Sequence, residues 1–264
     1  MLAWLGIAAA VVLAAPDQQL LEAARALEAG RIDQAKTMIA KAVALKAPPA
    51  AVDRLLAELA FRDGRTAEAL ERYQALLNAS PTNSLYAERA AIAALKLGEV
   101  ARAAELARRA TASPAASWRA WNARGVAADL QGDWAAADAA YGRASGLAPE
   151  RAEILNNQGW SRMLRGEWGA ALPLLERAAA LDPQAARTRH NLELVHVALA
   201  GDLPRRRPGE SDQDYAARLN DAGVMARIQG ASARAVAAFS RAIETRNQWY
   251  RRAARNLALA QQQR

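Results

Sequence analysis

A glycine recurs every 34 residues between positions 30 and 166 of this chain. The five members of this series are Gly30, Gly64, Gly98, Gly132 and Gly166. An alanine follows each glycine by five positions, at Ala35, Ala69, Ala103, Ala137 and Ala171. A small residue precedes each glycine by seven positions, at Ala23, Ala57, Ala91, Gly125 and Gly159. Three columns with one period indicate a repeat architecture, in which one short unit stacks on the next and all units share a core.

The repeating unit is predicted to be two antiparallel helices joined at the glycine. The glycine is flanked by polar residues, as in Asp63-Gly64-Arg65, and it accepts the left-handed conformation in which helices often end. The segments on both sides carry apolar residues at helical spacing. Aromatic residues make up only 5% of the chain and alanine dominates the apolar set, which favours helices over strands. The predicted fold class is all-α, and the small columns are expected to let paired helices approach closely.

The repeats resemble the tetratricopeptide repeat family, whose 34-residue pattern is W-x2-L-G-x2-Y, A-x3-F and P. The fourth repeat carries this pattern best, with Trp121, Gly125, Ala137, Tyr141 and Pro149. It departs from the pattern at two positions, where Arg124 and Ala128 replace leucine and tyrosine. The resemblance implies a right-handed superhelical solenoid that binds proteins or extended peptide segments and that is not an enzyme.

The register of the columns predicts how the chain is organised. Residues 16–183 are predicted to form five repeats, and residues 184–200 a single helix that continues the array. Residues 201–212 (GDLPRRRPGESD) contain prolines, a second glycine and three arginines, and they are predicted to form a loop. Residues 213–264 are expected to form a final repeat and a C-terminal capping helix.

The N-terminal residues are expected to lie outside the repeats. An unbroken apolar run covers residues 2–15, which is too short to span a bilayer and suits the core of a signal peptide. Residues 1–15 are therefore predicted to be a signal peptide, and the protein to be exported and periplasmic, either soluble or tethered by an uncleaved signal. An uncleaved membrane anchor and a misplaced start codon remain alternatives. The chain has no cysteine, so it is not expected to be a lipoprotein.

The net charge of +8 raises the question of anionic partners. The arginines alternate with Asp and Glu along the predicted helices, which is typical of solvated helix faces. Nucleic-acid binding would require basic residues clustered on one face with aromatic residues for stacking, so no nucleic-acid partner is expected. A GC-rich genome would produce the same alanine and arginine bias without any functional meaning.

No catalytic, cofactor or metal site is predicted. His190 and His196 are six residues apart on a predicted helix, so they face different directions and cannot share a metal ion. The carboxylates are spread singly along the helices, and no phosphate-binding loop or nucleophile motif occurs. Neither a cofactor nor a small-molecule substrate is expected.

The tetratricopeptide resemblance implies a peptide-binding groove along the first helices of the repeats. In related proteins, asparagines there hydrogen-bond the backbone of an extended peptide. Here Asn122, Asn156 and Asn220 share one column, and Asn157, Asn191 and Asp221 share the next. Trp160 is expected to project into the same groove. Arg54, Arg62, Arg89 and Arg119 would add positive charge, so that the bound segment would be acidic or present a C-terminal carboxylate. The alternative is that these asparagines are merely polar and exposed.

Residues 155–260 also resemble the tetratricopeptide proteins of bacterial tight-adherence (Flp) pilus assembly systems. The resemblance lies in the fifth repeat (NNQGWSRMLRGEWGAALPLLERAAALDP), the Asn191-Leu192 helix and the arginine-rich tail. It implies an accessory factor that helps to assemble the pilus or to localise its secretin, with secretin or other assembly components as partners. A general periplasmic adaptor in envelope biogenesis and a cytoplasmic chaperone or regulator remain alternatives.

Overall fold

The computed structural model describes residues 15–201, 203–246 and 250–262, and its regular secondary structure in these ranges is entirely α-helical, which confirms the predicted fold class. The predicted signal peptide lies outside the described residues, except for Ala15 at the start of the first helix. The helices of the described ranges are α1 (Ala15–Glu28), α2 (Ile32–Ala44), α3 (Pro49–Arg62), α4 (Thr66–Ala79), α5 (Ser84–Leu97), α6 (Val100–Ala110), α7 (Trp118–Gln131), α8 (Trp134–Leu147), α9 (Ala152–Leu164), α10 (Trp168–Leu181), α11 (Ala186–Ala200), α12 (Asp212–Ile228), α13 (Ser232–Thr245) and α14 (Arg251–Gln262).

The helices pack as sequential pairs within two compact units. Of the described residues, those up to 127 form the first unit and those from 128 onward form the second, so that the division falls within α7. In the first unit α1 packs on α2, α3 on α4 and α5 on α6, and α3 and α5 also pack on the preceding pair. In the second unit α9 packs on α10 and α12 on α13, while α11 lies against α10 and α12. No helix of the described ranges is both long enough and apolar enough to cross a membrane.

The turn within each pair is closed by a glycine in the left-handed conformation. The five glycines of the 34-residue series have φ values from +70° to +76°. At Gly98 its own N–H donates to the Leu95 carbonyl at 3.1 Å, and the following N–H of Glu99 donates to the Ala94 carbonyl at 2.9 Å. These two bonds form a Schellman motif, which satisfies carbonyls that the helix end would leave without partners. A side chain at these glycines would strain the backbone.

The small columns lie where paired helices touch. All five alanines that follow the turn glycines are fully buried. A Cβ at Gly159 would lie 2.6 Å from Leu175 Cγ, and one at Gly223 would lie 2.6 Å from Phe239 Cε1. The small residue of the first helix therefore faces a large residue of the second helix, four positions after the alanine that follows the turn glycine. The sequence predicts that the two small columns face each other. The structure instead places the side chain of Leu175 or Phe239 against the small residue of the first helix.

A carboxylate and a tyrosine join a helix pair in each unit, and the carboxylate is half-buried at Glu58 and buried at Asp129. In the first unit Tyr73 Oη donates to Glu58 Oε2 at 2.5 Å, and in the second unit Tyr141 Oη donates to Asp129 Oδ2 at 2.8 Å. Burial and the adjacent carboxylate raise the pKa of both tyrosines far above the usual value, so both hydroxyls stay protonated. Each hydroxyl therefore acts as a permanent donor that joins two helices.

A loop, and not a helix that would pair with α11, connects α11 to α12. Residues 203–211 are not helical, and the loop is held by Arg218 of α12, which is 7% exposed. The Arg218 guanidinium donates to both oxygens of Glu210 at 2.7 and 2.8 Å and to the Arg205 carbonyl at 3.3 Å. It also pairs with Glu193 of α11. One buried guanidinium thus ties α11, the loop and α12 together.

Candidate peptide-binding surface

Two pairs of asparagines join helices of the second unit that take the place of the first helix of a repeat, namely α9, α11, α12 and α14. Asn191 Nδ2 of α11 donates to Asn156 Oδ1 of α9 at 2.9 Å, and Asn256 Nδ2 of α14 donates to Asn220 Oδ1 of α12 at 2.9 Å. The two bonds span 35 and 36 residues, which is about one repeat. Asn256 was not predicted from the sequence, although its spacing from Asn220 is within one residue of the spacing of the other pair. The capping helix therefore continues the arrangement of the repeats before it.

Each accepting asparagine is buried and also orients the residue that follows it. Asn156 is 4% exposed and its Nδ2 donates to Asn157 Oδ1 at 3.3 Å. Asn220 is fully buried and its Nδ2 donates to Asp221 Oδ1 at 3.2 Å. A buried amide costs free energy unless it is hydrogen-bonded, so the Asn191–Asn156 and Asn256–Asn220 bonds between helices favour one arrangement of the neighbouring helices. Asn157 and Asp221 are half-buried and bring polar atoms to the surface at equivalent positions.

A histidine completes the connection between the two asparagine pairs. His190 Nε2 of α11 lies 3.1 Å from Asp221 Oδ2 of α12, and both side chains are about one-third exposed. The result is a polar file, defined as Asn156, Asn157, His190, Asn191, Asn220, Asp221 and Asn256, which crosses the four helices α9, α11, α12 and α14. In the described ranges there is no group of three or more side chains that could hold a metal ion.

The structure separates the predicted asparagines into buried and accessible ones. Asn191 is 4% exposed, like Asn156. Asn122, which the sequence places in the same column, lies in the first unit and is 5% exposed. Asn157 and Asp221 have the surface that a peptide would need. Their peptide-binding role stays a prediction, and so does that of the buried members.

Trp160 is half-buried and packs against the core of the second unit. Its neighbours in that cluster include Met163, Leu175 and Val195, together with the partly buried Leu192. Trp160 follows Asn157 by three residues on α9, so the two side chains are neighbours on the helix surface. The ring therefore contributes apolar surface beside the polar atoms of the file.

The predicted groove arginines all lie in the first unit, where two of them pair with carboxylates. Arg62 Nε donates to Glu58 Oε1 at 2.5 Å, and Arg89 Nε donates to Glu58 Oε2 at 3.3 Å. These pairs reduce the positive charge that the two arginines offer to a ligand. Arg119 is exposed, with its guanidinium 4.4 Å from the centre of the Trp118 ring, and Arg54 is exposed on α3.

The sequence profile of the tetratricopeptide repeat family matches residues 20–84, 89–137 and 130–186, which is more than half of the chain. No curated protein matches the sequence significantly.

Solved structures with the same fold are distant in sequence. A tetratricopeptide repeat protein from Parabacteroides merdae has 16% identity and a TM-score of 0.55, with 93% of this chain and 98% of that protein covered. The Cut9–Hcn1 hetero-tetramer of the APC/C has 14% identity and a TM-score of 0.55, with 93% of this chain and 42% of that one covered. MamA of MSR-1 has 20% identity and a TM-score of 0.50, with 65% and 98% covered. At such identities the likeness shows the fold alone.

Proposed function

Because this chain belongs to the tetratricopeptide repeat family, we propose that it is a non-catalytic scaffold that holds an extended segment of a partner protein along the polar file. Helix-pair solenoids of this kind present extended surfaces to other proteins. The observation that carries the proposal is the continuity of the polar file across four helices, with half-exposed hydrogen-bonding groups at Asn157, His190 and Asp221.

The spacing of the file suits an extended backbone. Packed helices lie about 8–10 Å apart, and an extended chain advances about 3.3 Å per residue. A peptide crossing α9, α11, α12 and α14 would therefore meet one polar position about every third residue, over about nine residues. Such contacts to backbone groups are tolerant of sequence, and the exposed part of Trp160 adds an apolar contact at one end.

We further propose that the partner is a component of a tight-adherence pilus assembly system, such as its secretin, and that the protein acts in the periplasm. Support comes from the resemblance of residues 155–260 to tetratricopeptide proteins of these systems, and from the apolar run at residues 2–15, which suits a signal peptide. The polar file lies within the stretch that carries this resemblance.

The test is purification of the tagged, natively expressed protein from cross-linked cell envelopes, with partners identified by mass spectrometry. Secretin or other pilus components are expected with the wild-type protein, and their recovery is expected to fall at least fivefold with Asn157→Ala. Arg177→Ala, which alters an exposed residue of the second helix α10, is the matched control and should recover them as the wild type does.

Two results would contradict separate parts of this proposal. A set of envelope partners without pilus components would overturn the pilus assignment and leave the scaffold. Pilus components captured equally by the Asn157→Ala variant would overturn the role of the polar file.

A further inference from the structure

A cavity of about 650 Å³ lies in the second unit, where the loop at residues 203–211 meets the start of α12 and the end of α13, and none of its lining residues belongs to the polar file. Its lining residues are Leu203, Pro204, Arg205, Arg206, Asp212, Tyr215, Arg241 and Thr245. The volume falls within the range of about 300–1,000 Å³ that is typical of ligand sites. The loop forms one side of this cavity, and α12 and α13 form the other.

The apolar wall of this cavity is held in place by hydrogen bonds to the loop backbone. Tyr215 Oη donates to the Pro204 carbonyl at 3.2 Å, and the Arg218 guanidinium donates to the next carbonyl, that of Arg205, at 3.3 Å. Pro204 and Tyr215 are buried, and Leu203 packs against the same core cluster. The wall is therefore preorganised.

Among the described residues, two of the three arginines that line the cavity have no carboxylate partner. Arg206 pairs with Asp212, donates to the Glu210 carbonyl at 3.2 Å and lies 5.7 Å from the centre of the Tyr215 ring. Arg205 and Arg241 are exposed, and in the part of the chain that the structure describes neither guanidinium pairs with an acidic side chain. The cavity thus carries two positive charges that its own Asp212 does not compensate.

We propose that this cavity binds the carboxylates of an acidic peptide segment of the partner protein. A guanidinium presents a planar fork of donors that matches a carboxylate, and two such forks at one cavity suit a segment with adjacent acidic groups. The Leu203, Pro204 and Tyr215 wall accepts an apolar side chain next to those groups, which a free inorganic anion would not use. The inference rests on the proposed scaffold function and places the acidic contact in the second unit, and not at the arginines of the first.

The experiment titrates the full-length protein with the acetylated tetrapeptide Ala-Leu-Asp-Glu, bearing a free C-terminal carboxylate, by isothermal titration calorimetry at low salt. The double variant Arg205→Gln/Arg241→Gln is expected to raise the Kd at least tenfold. Arg177→Gln, an exposed arginine on α10, is the matched control and should leave the Kd unchanged. The amidated peptide Ala-Leu-Asn-Gln should bind at least tenfold more weakly than the acidic one, because it has no carboxylate.

Three results would overturn the inference. They are an unchanged Kd in the double variant, equal binding of the amidated peptide, and displacement of the acidic peptide by equimolar inorganic phosphate, which would make the cavity a general anion site. Circular dichroism of the double variant shows whether it is folded. Capture of partners that depends on Asn157 is a separate readout, so the cavity can fail while the polar file stands.

Discussion

Gly159 in α9 and Gly142 in α8 are both helical glycines of the second unit, yet a methyl group should have opposite effects at the two positions. A Cβ at Gly159 would lie 2.6 Å from Leu175 Cγ, whereas a Cβ at Gly142 has no heavy atom of a neighbouring element within 4 Å. Gly159→Ala should lower the free energy of unfolding by about 1–3 kcal/mol, because the core is overpacked. Gly142→Ala should raise it by about 0.5–1 kcal/mol, because glycine in a helix interior is unfavourable.

Urea unfolding followed by circular dichroism measures both variants. If Gly159→Ala proved as stable as the wild type, the close approach of α9 and α10 would be wrong. The Gly142→Ala variant controls for the general effect of alanine on helix stability.

Glu58 should make the first unit sensitive to acid. Burial raises the pKa of this carboxyl, but hydrogen bonds from Tyr73 and Arg62 and the charge of Arg89 more than offset burial, so the pKa lies below its ordinary value of 4.5. The folded state therefore favours the carboxylate. The stability that Glu58 contributes is complete above about pH 4.5 and is lost as the pH falls through the lowered pKa. Between about pH 6 and pH 3, the free energy of unfolding should fall less in Glu58→Gln than in the wild type.

Asp129 provides a comparison of opposite sign. Burial raises its pKa, and the hydrogen bonds from Ser161 and Tyr141 do not fully reverse this. Acidification therefore favours the folded state at this residue, and Asp129→Asn should make the loss of stability at low pH steeper than in the wild type. Urea titrations at several pH values give both slopes, and equal slopes for the two variants would refute the assignment of these carboxylates.

The conformation of the loop at residues 203–211 should depend on Arg218. The prolines and the glycine of this segment predict a loop from sequence, but the contacts that hold it were not predictable. Arg218 lies 25 residues from Glu193 and eight from Glu210, and only the packing of α11 against α12 brings the three side chains together. A local pattern cannot report such a contact.

Arg218→Ala should release the loop and lower the free energy of unfolding by about 3 kcal/mol, because it leaves Glu210 and Glu193 without their buried partner. Arg108→Ala removes an exposed pair with Glu105 at 2.7 Å and should cost less than about 1 kcal/mol. Limited trypsin digestion should cut after Arg205 and Arg206 much faster in Arg218→Ala than in Arg108→Ala. Equal rates of cleavage in the two variants would mean that Arg218 does not restrain the loop.

At the scale of the whole molecule, the 34-residue period was sufficient to predict the all-α fold, because each repeat contacts mainly its neighbours and a local pattern therefore determines the packing. The side chains of the polar file were less predictable. Adjacent residues of a helix point about 100° apart, so a column identifies the helix but not whether Asn156 or Asn157 meets solvent. Asn156 accepts a hydrogen bond from Asn191 of α11, so its surroundings depend on a helix outside its own repeat. The pattern of one repeat does not contain that contact.

The most direct test of the central claim places a photo-cross-linking amino acid at position 157 on the polar file, and separately at position 177 on the second helix α10, in the native cells. The first-helix surface of the second unit is the proposed binding face, so position 157 should capture a partner protein, and the cross-links should map to one short segment of it. Position 177 should not capture that segment. Capture of the same segment from position 177 with equal yield, or its absence at position 157, would show that the polar file is not the binding face.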